Sequence, residues 1–277
     1  MQSLSAPGRI GSTVRVAWPL AALTVLLMAA AVRLILLADR EPGLAQRLFV
    51  ALTLTAALAL AARWLRAVTN GGALAGSAAA LLLFVGGGWA LFAGLVALFV
   101  LTALGTRMGR ARKEQLGTAE SRAGRSAAQI LANTGAAGLL AAFSPGSENP
   151  VPLMAAATAA LAEAAADTVS SEYGQAAPRP TFLVTTGEPV PPGTDGGVSL
   201  AGTVAGMLAA ALVVATCVVA GAVPMTFAVP LALAGSVGML VDSTLGAIWE
   251  RRGRLSNDTV NLFGTLSAAL LAWLWLR

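Results

Sequence analysis

The chain has 277 residues, 57% hydrophobic and 11% charged, with a mean hydropathy of +0.76; soluble domains carry about 25% charged residues, so an ordinary soluble enzyme and a disordered chain are both excluded. Eighteen Lys and Arg against 13 Asp and Glu give +5, a surplus that the long apolar stretches turn into a topology signal rather than a nucleic-acid footprint. There is no His and one Cys, Cys217, which removes His-based triads, His metal sites, imidazole proton shuttles, an intrachain disulfide and a zinc cluster.

A bilayer core about 30 Å thick takes roughly 20 apolar residues per helix. On that measure the sequence predicts an all-α, polytopic transmembrane bundle of about nine helices (seven to nine), near 16–38, 47–66, 70–86, 87–106, 126–143, 151–172, 198–221, 224–248 and 258–276. The apolar run of the first is longer than a signal-peptide core and carries Arg33 late, so a retained helix is expected. Gly86-Gly87-Gly88 divides the third from the fourth: a tight turn or one interrupted span. Residues 1–66 form an N-terminal region with two helices. Residues 67–277 form the main transmembrane domain, with polar loops at 107–125, 173–197 and 249–257.

The basic residues set an orientation. With the N-terminus inside, Arg9, Arg15, Arg63, Arg66, Arg107, Arg110, Arg112, Lys113, Arg122, Arg125, Arg179, Arg251, Arg252 and Arg254 fall on the cytoplasmic side. Arg33, Arg40, Arg47 and Arg277 fall outside, so 14 stand against 4. The positive-inside rule selects N-in, C-out, with all three long loops in the cytoplasm. No internal repeat is evident, so an inverted-repeat transporter gains nothing from that test. The 30 glycines and the alanine runs are read first as close helix packing.

Four acids lie in or beside predicted spans: Glu163, Asp167, Glu172 and Asp242. A carboxylate there costs about 2.5–3.5 kcal/mol even on lenient insertion scales, so it pairs or binds something. AEAAADTVSSEYG puts Glu163, Asp167 and Ser171 at i, i+4 and i+8, one helix face. Two acids at that spacing repel unless a cation or proton lies between them. The bland alternative is a buried carboxylate satisfied by a neighbour, or Glu172 ending its helix in solvent. Asp167, Glu172, Asp242 and Asp258 all fall near the cytoplasmic ends of their helices. That suits a site fed by a water-soluble cosubstrate better than an ion path across the membrane.

Two loops and two amide sets complete the pattern. TTGEPVPPGTDGGVSLAGT leads through Gly193, Thr194, Asp195, Gly196 and Gly197 to Ser199 and a helix start, where exposed backbone N–H groups suit phosphate. No Gly-Lys-Ser/Thr follows, so this is not a P-loop. The loop RMGRARKEQLGTAESRAGRSAAQ supplies Arg112, Lys113 and Arg125; positive-inside bias and lipid headgroups explain such a cluster without chemistry. Gln129 and Asn133, and Asn257, Asp258 and Asn261, enter two helices from the same side; interhelical hydrogen bonding is their commoner use.

The strings KEQLGTAESRAGRSAAQILANTG, ADTVSSEYG, PVPPGTDGGVSLAGT, VDSTLGAIWE and SNDTVNLFGT occur here in the order found in one group of integral membrane proteins. On these five the chain resembles the domain of unknown function 92 family, over about residues 66–277. That family includes the eukaryotic transmembrane protein 19 group and phytyl-phosphate kinases. The resemblance implies a kinase that moves a phosphoryl group from a nucleoside triphosphate to a polyprenyl or phytyl monophosphate. Similarity of style to CTP-dependent lipid kinases makes CTP an expected donor. For that reaction Asp167, Glu172 and Asp242 are the candidates to hold Mg²⁺, since Mg²⁺ prefers carboxylates with phosphate oxygens and water, with Arg125 catalytic. Arg112, Lys113, Asn133, Gly193–Gly197, Ser199, Asn257 and Asn261 would surround the phosphates and the nucleotide. Members often have Asn at the position of Asp195, a Cys-rich insertion where this chain has RRGRLS, and Asn-Phe where it has Asn261-Leu262. The expected partners are membrane lipids and the prenyl phosphate, not nucleic acid, in a bacterial cytoplasmic membrane with the active face inside. A cytidylyl transferase or prenol kinase, and a transporter or flippase, are the alternatives. The last predicts acids spread across the midplane.

Overall fold

The computed structural model describes residues 18–37 and 43–276. Arg9, Arg15, Arg40 and Arg277 of the charge count, and the start of the first predicted helix, lie outside the described residues. Nine α-helices occur among the described residues: α1 (Trp18–Leu37), α2 (Leu44–Trp64), α3 (Asn70–Arg107), α4 (Arg110–Leu116), α5 (Ala127–Ala142), α6 (Val151–Ala176), α7 (Leu200–Val219), α8 (Ala228–Leu245) and α9 (Asn257–Leu276). A π turn, Gly246–Glu250, extends α8. The loop after α6 folds into a small antiparallel sheet that the sequence did not announce. Its strands are β1 (Thr181–Leu183), β2 (Pro189–Val190) and β3 (Gly197–Val198), with β1 in the middle.

The 38 residues of α3 would reach roughly 57 Å if straight. They do not run straight. Gly88 sits at φ 61°, ψ −153°, outside the helical region and open only to glycine. Residues 72–80 and 95–107 line one and the same cavity, so the two arms double back at Gly88. Phe84, Trp89 and Phe92 clasp the bend edge to face, with ring centroids 5.0, 5.6 and 6.4 Å apart. Of the two alternatives at Gly86–Gly88, a tight turn and one interrupted span, the turn is the one present. α4, by contrast, is a short helix within a loop.

Six helices among the described residues are long and apolar enough to cross a bilayer: α1, α2, α3, α7, α8 with its flanking turns, and α9. α6 is not among them, because its sequence is Ala-rich and carries three acids. It needs no lipid-like surface, since α3, α5, α7, α8 and α9 pack around it. Ala155–Ala157, Ala159, Ala160, Ala162 and Ala164–Ala166 are all buried. Small side chains let those neighbours approach closely, which is what drives helix association where water supplies no hydrophobic force. Gly206 meets the Ala166 carbonyl and Gly235 meets Ala162 so tightly that a β-carbon on either would collide. α1 and α2 form an outer layer and expose Val25, Met28, Ile35, Phe49 and Leu60. Arg33 fastens α1 to the end of α5. It donates to the Ala142 and Pro145 carbonyls, both at 2.8 Å, and lies over the Phe143 ring.

Candidate active site

The polar loops and the ends of α6, α8 and α9 meet at one end of the bundle around a cleft of about 440 Å³. Its wall contains Arg125, Asp167, Glu172, Gly193, Thr194, Asp195, Gly196, Gly197, Ser199, Asp242, Asn257 and Asn261. Twelve of the fifteen residues singled out from the sequence thus converge. Lys113, Arg112 and Asn133 do not line it.

The carboxylates come from two helices. Asp167 on α6 and Asp242 on α8 lie within hydrogen-bonding reach of each other. Two carboxylates at that range need a proton or cation between them. Asn261 on α9 is their third neighbour. Its carboxamide lies 3.1 Å from Asn133 Oδ1; turned over, the same amide donates to Asp242 Oδ2 at 3.2 Å and to the Asn257 carbonyl at 3.1 Å. Asn133 thus links α5 to α9 and does not line the cleft, so it is removed from the set expected around the phosphates. Deeper still, Glu163 is 1% exposed, and its Oε1 has no hydrogen-bond partner. Gly238 and Gly264 make room for it: a β-carbon on Gly264 would strike Oε1.

Glu172 lines the same cleft but already has its partners. It accepts from Lys113 Nζ at 2.5 Å and from Thr106 Oγ1 at 2.8 Å. Lys113 also donates to the Gly105 and Thr106 carbonyls at 3.0 and 2.9 Å and is 1% exposed. All three ammonium hydrogens are used. The expectation that Lys113 meets a phosphate is corrected: it ties α4 to α3 and α6. Arg112 does not line the cleft and donates to the Gln175 carbonyl at 3.1 Å, so it too is removed from the phosphate set. Among the described residues no group of three Asp, Glu or Cys side chains converges as a ligand set. The three-acid metal centre therefore reduces to Asp167 and Asp242. That pair fits Mg²⁺, which takes one or two carboxylates and fills the remaining positions with phosphate oxygens and water.

Arg125 is held by its backbone. Its N–H donates to the Ala67 carbonyl at 2.9 Å, and its own carbonyl accepts from Thr69 N–H at 3.0 Å. Ser126 then caps α5 in a reciprocal box with Gln129, as the Ser-x-x-Gln spacing dictates. Gln129 Nε2 donates to Glu120 Oε2 at 3.2 Å. The Arg125 guanidinium stands 3.7 Å from Glu172 and 3.9 Å from Glu120, contacts too long to consume its donors.

The glycine-rich loop is two turns in series. Thr194 N–H donates to the Pro191 carbonyl at 3.2 Å across Pro192-Gly193, and Gly197 N–H to the Thr194 carbonyl at 2.8 Å across Asp195-Gly196. Gly193 and Gly196 have φ of +86° and +75°, the third-position geometry that glycine supplies. A β-carbon on Gly196 would also meet the Ala247 backbone. Ser199 Oγ accepts from Gly202 N–H at 3.1 Å and so caps α7. Two amides and this hydroxyl are thus already engaged in building the loop.

The sequence reading passed over Glu120, Thr118, Ser170, Ser243 and Glu250, which also line the cleft. Glu250 had a signal: Asp242, Gly246 and Glu250 stand at i, i+4 and i+8. Glu120 had none, because its position depends on how the 107–125 loop returns.

Comparison with known proteins places these residues in a family. The profile described as "Integral membrane protein DUF92" matches residues 53–269. An uncharacterised membrane protein of Methanocaldococcus jannaschii, MJ0933, is 31% identical over 237 residues, covering 81% of this chain and 92% of its own. An uncharacterised membrane protein of Synechocystis, sll0875, is 33% identical over 192 residues, covering 67% and 73%. The chloroplastic protein VTE6 of Arabidopsis thaliana is 31% identical over 186 residues, which is 64% of this chain and 56% of VTE6. No solved structure matches.

Proposed function

The chain belongs to the integral membrane protein DUF92 family, and from that premise we propose that it is a membrane kinase converting a polyprenyl or phytyl monophosphate to the diphosphate, with a nucleoside triphosphate such as CTP as donor. One observation carries the reading: an Asp pair, a loosely held arginine and a glycine-turn loop open into one cleft at one end of the bundle. The sequence resemblance to a family that includes phytyl-phosphate kinases supports the choice of reaction.

Phosphoryl transfer asks mainly for positioning and charge neutralisation. An oxygen of the acceptor phosphate attacks the terminal phosphorus of the donor. A new O–P bond forms, the bond to the bridging oxygen breaks, and the electron pair leaves on the nucleoside diphosphate. The acceptor phosphate is already ionised near neutral pH, so no strong base is needed and a site without His suffices. Asp167 and Asp242 would hold Mg²⁺, which supplies charge neutralisation at the phosphate oxygens. Arg125 offers planar paired donors to a phosphate oxygen pair. The Gly193–Gly197 turns set the cleft wall where the donor phosphates lie. In the N-in orientation this end faces the cytoplasm, which delivers the nucleotide.

Transport is the weaker reading. On α6, beyond Glu163 toward Val151, the one polar side chain is Thr158, so the acid series stops short of the other face. The test is purified protein in detergent with CTP or ATP, Mg²⁺ and farnesyl, geranylgeranyl or phytyl monophosphate. Formation of the diphosphate is expected; its absence with every pair of substrates rejects the reading.

A further inference from the structure

A second cavity, about 370 Å³, lies on the other side of Arg125, between α2, the two arms of α3 and the start of α5. Its walls are mainly apolar, with Leu58, Ala62, Ala80, Leu95, Leu98 and Ile130 among them. Its rim is basic, with Arg66, Arg107, Arg110, Arg122 and Arg125. Arg125 and Glu120 line this cavity and the cleft alike, so they form the partition between the two. Arg110 and Arg122 bond to Glu114. Arg66 and Arg107 have no side-chain hydrogen bond or ion pair among the described residues.

The geometry points to this cavity as the seat of the acceptor: a single long isoprenyl chain lies along the α2–α3–α5 wall, and its terminal monophosphate rests on Arg66, Arg107 and Arg125. This rests on the kinase reading for what happens next, not for the binding itself. Three features carry it. The depth from Arg107 to Leu95 along α3 is roughly 18 Å, which suits a long chain. Most of the wall is Leu, Ala, Val, Ile and Phe, with scattered uncharged polar side chains such as Thr55, Ser77 and Thr102 and no charged group below the rim, so a long, mainly apolar chain is the occupant it rewards. The rim offers two unspent guanidinium groups and a third only loosely engaged. A phosphomonoester carries about −1.5 to −2 charges near neutral pH, which matches that set better than the single charge of a phospholipid diester. A phosphate held at Arg125 also stands at the partition, where the cleft with Asp167 begins.

The probe is radiolabelled geranylgeranyl monophosphate bound to purified protein in detergent, without nucleotide. Gly76→Leu and Leu98→Trp narrow the cavity from opposite arms of α3. The first has space for its β-carbon, since the nearest atom, Ile130 Cγ2, is 3.8 Å away. Each is expected to weaken binding about tenfold or more. Leu98→Trp, set deeper, should affect geranyl monophosphate less than geranylgeranyl monophosphate. Phosphatidic acid and inorganic phosphate should compete poorly. A photoactivatable isoprenyl monophosphate on the wild-type protein should label residues 55–80 and 95–103, which keeps the test open if either variant fails to fold. Unchanged binding in both folded variants, equal competition by phosphatidic acid, or labelling elsewhere overturns the assignment. When CTP and Mg²⁺ are then added, binding here with no diphosphate formed leaves the site standing and rejects the kinase; diphosphate formed by both variants at the wild-type rate does the reverse.

Discussion

Asp167 and Glu172 leave the same helix five residues apart, both line the cleft, and they meet opposite surroundings. Glu172 enters a closed cluster, where Lys113, Thr106 and two backbone carbonyls use every donor. Asp167 enters the cleft, where it meets another acid, Asp242, beside a loosely held arginine. The first region spends its charges on itself and holds α3, α4 and α6 together. The second leaves like charges side by side and so requires something from outside. Charge density alone does not mark a site; unbalanced charge does.

Four tests probe that contrast. Lys113→Met leaves Glu172 buried without its counter-ion, and loss of one partner of a buried pair costs about 3–5 kcal/mol. A large fall in thermal stability in detergent is expected, partly restored by adding Glu172→Gln; an unchanged melting temperature would dissolve the distinction between the regions. Asp167→Asn or Asp242→Asn should instead keep the fold and lower kcat about 10²–10³-fold, the scale of losing one group that stabilises transition-state charge. Gly196→Ala places a side chain at positive φ against Ala247, a strain of about 1–3 kcal/mol. It should raise KM for the nucleotide more than for the acceptor, as read in a two-substrate kinetic matrix. Arg112→Ala removes one hydrogen bond at the surface and should cost no more than about 1 kcal/mol, with turnover unaffected; a large loss of turnover would return Arg112 to the phosphate set.

Much of this arrangement is written in local sequence. The Gly86–Gly88 reversal, the Pro-Gly and Asp-Gly turns and the Ser126 cap each follow from residues within a few positions. The acids on α6 and α8 stand out because charge in an apolar helix is costly wherever it lies. Lys113 shows the limit. In sequence it is one of six basic residues in a loop, and only the fold of α4 against α6 brings it to Glu172. The three-strand loop and the α2–α3–α5 cavity are likewise products of distant packing, for which no single segment carries a pattern. Glu120 belongs with them: its Gln129 contact depends on the loop's return path.

The most direct measurement is the rate at which ³¹P spectroscopy detects a new diphosphate when purified protein receives Mg²⁺, CTP and geranylgeranyl monophosphate, compared with Asp242→Asn at equal folded fraction. The account predicts steady formation by the wild type and loss of at least about a hundredfold in the variant. Equal rates in the two proteins would contradict it.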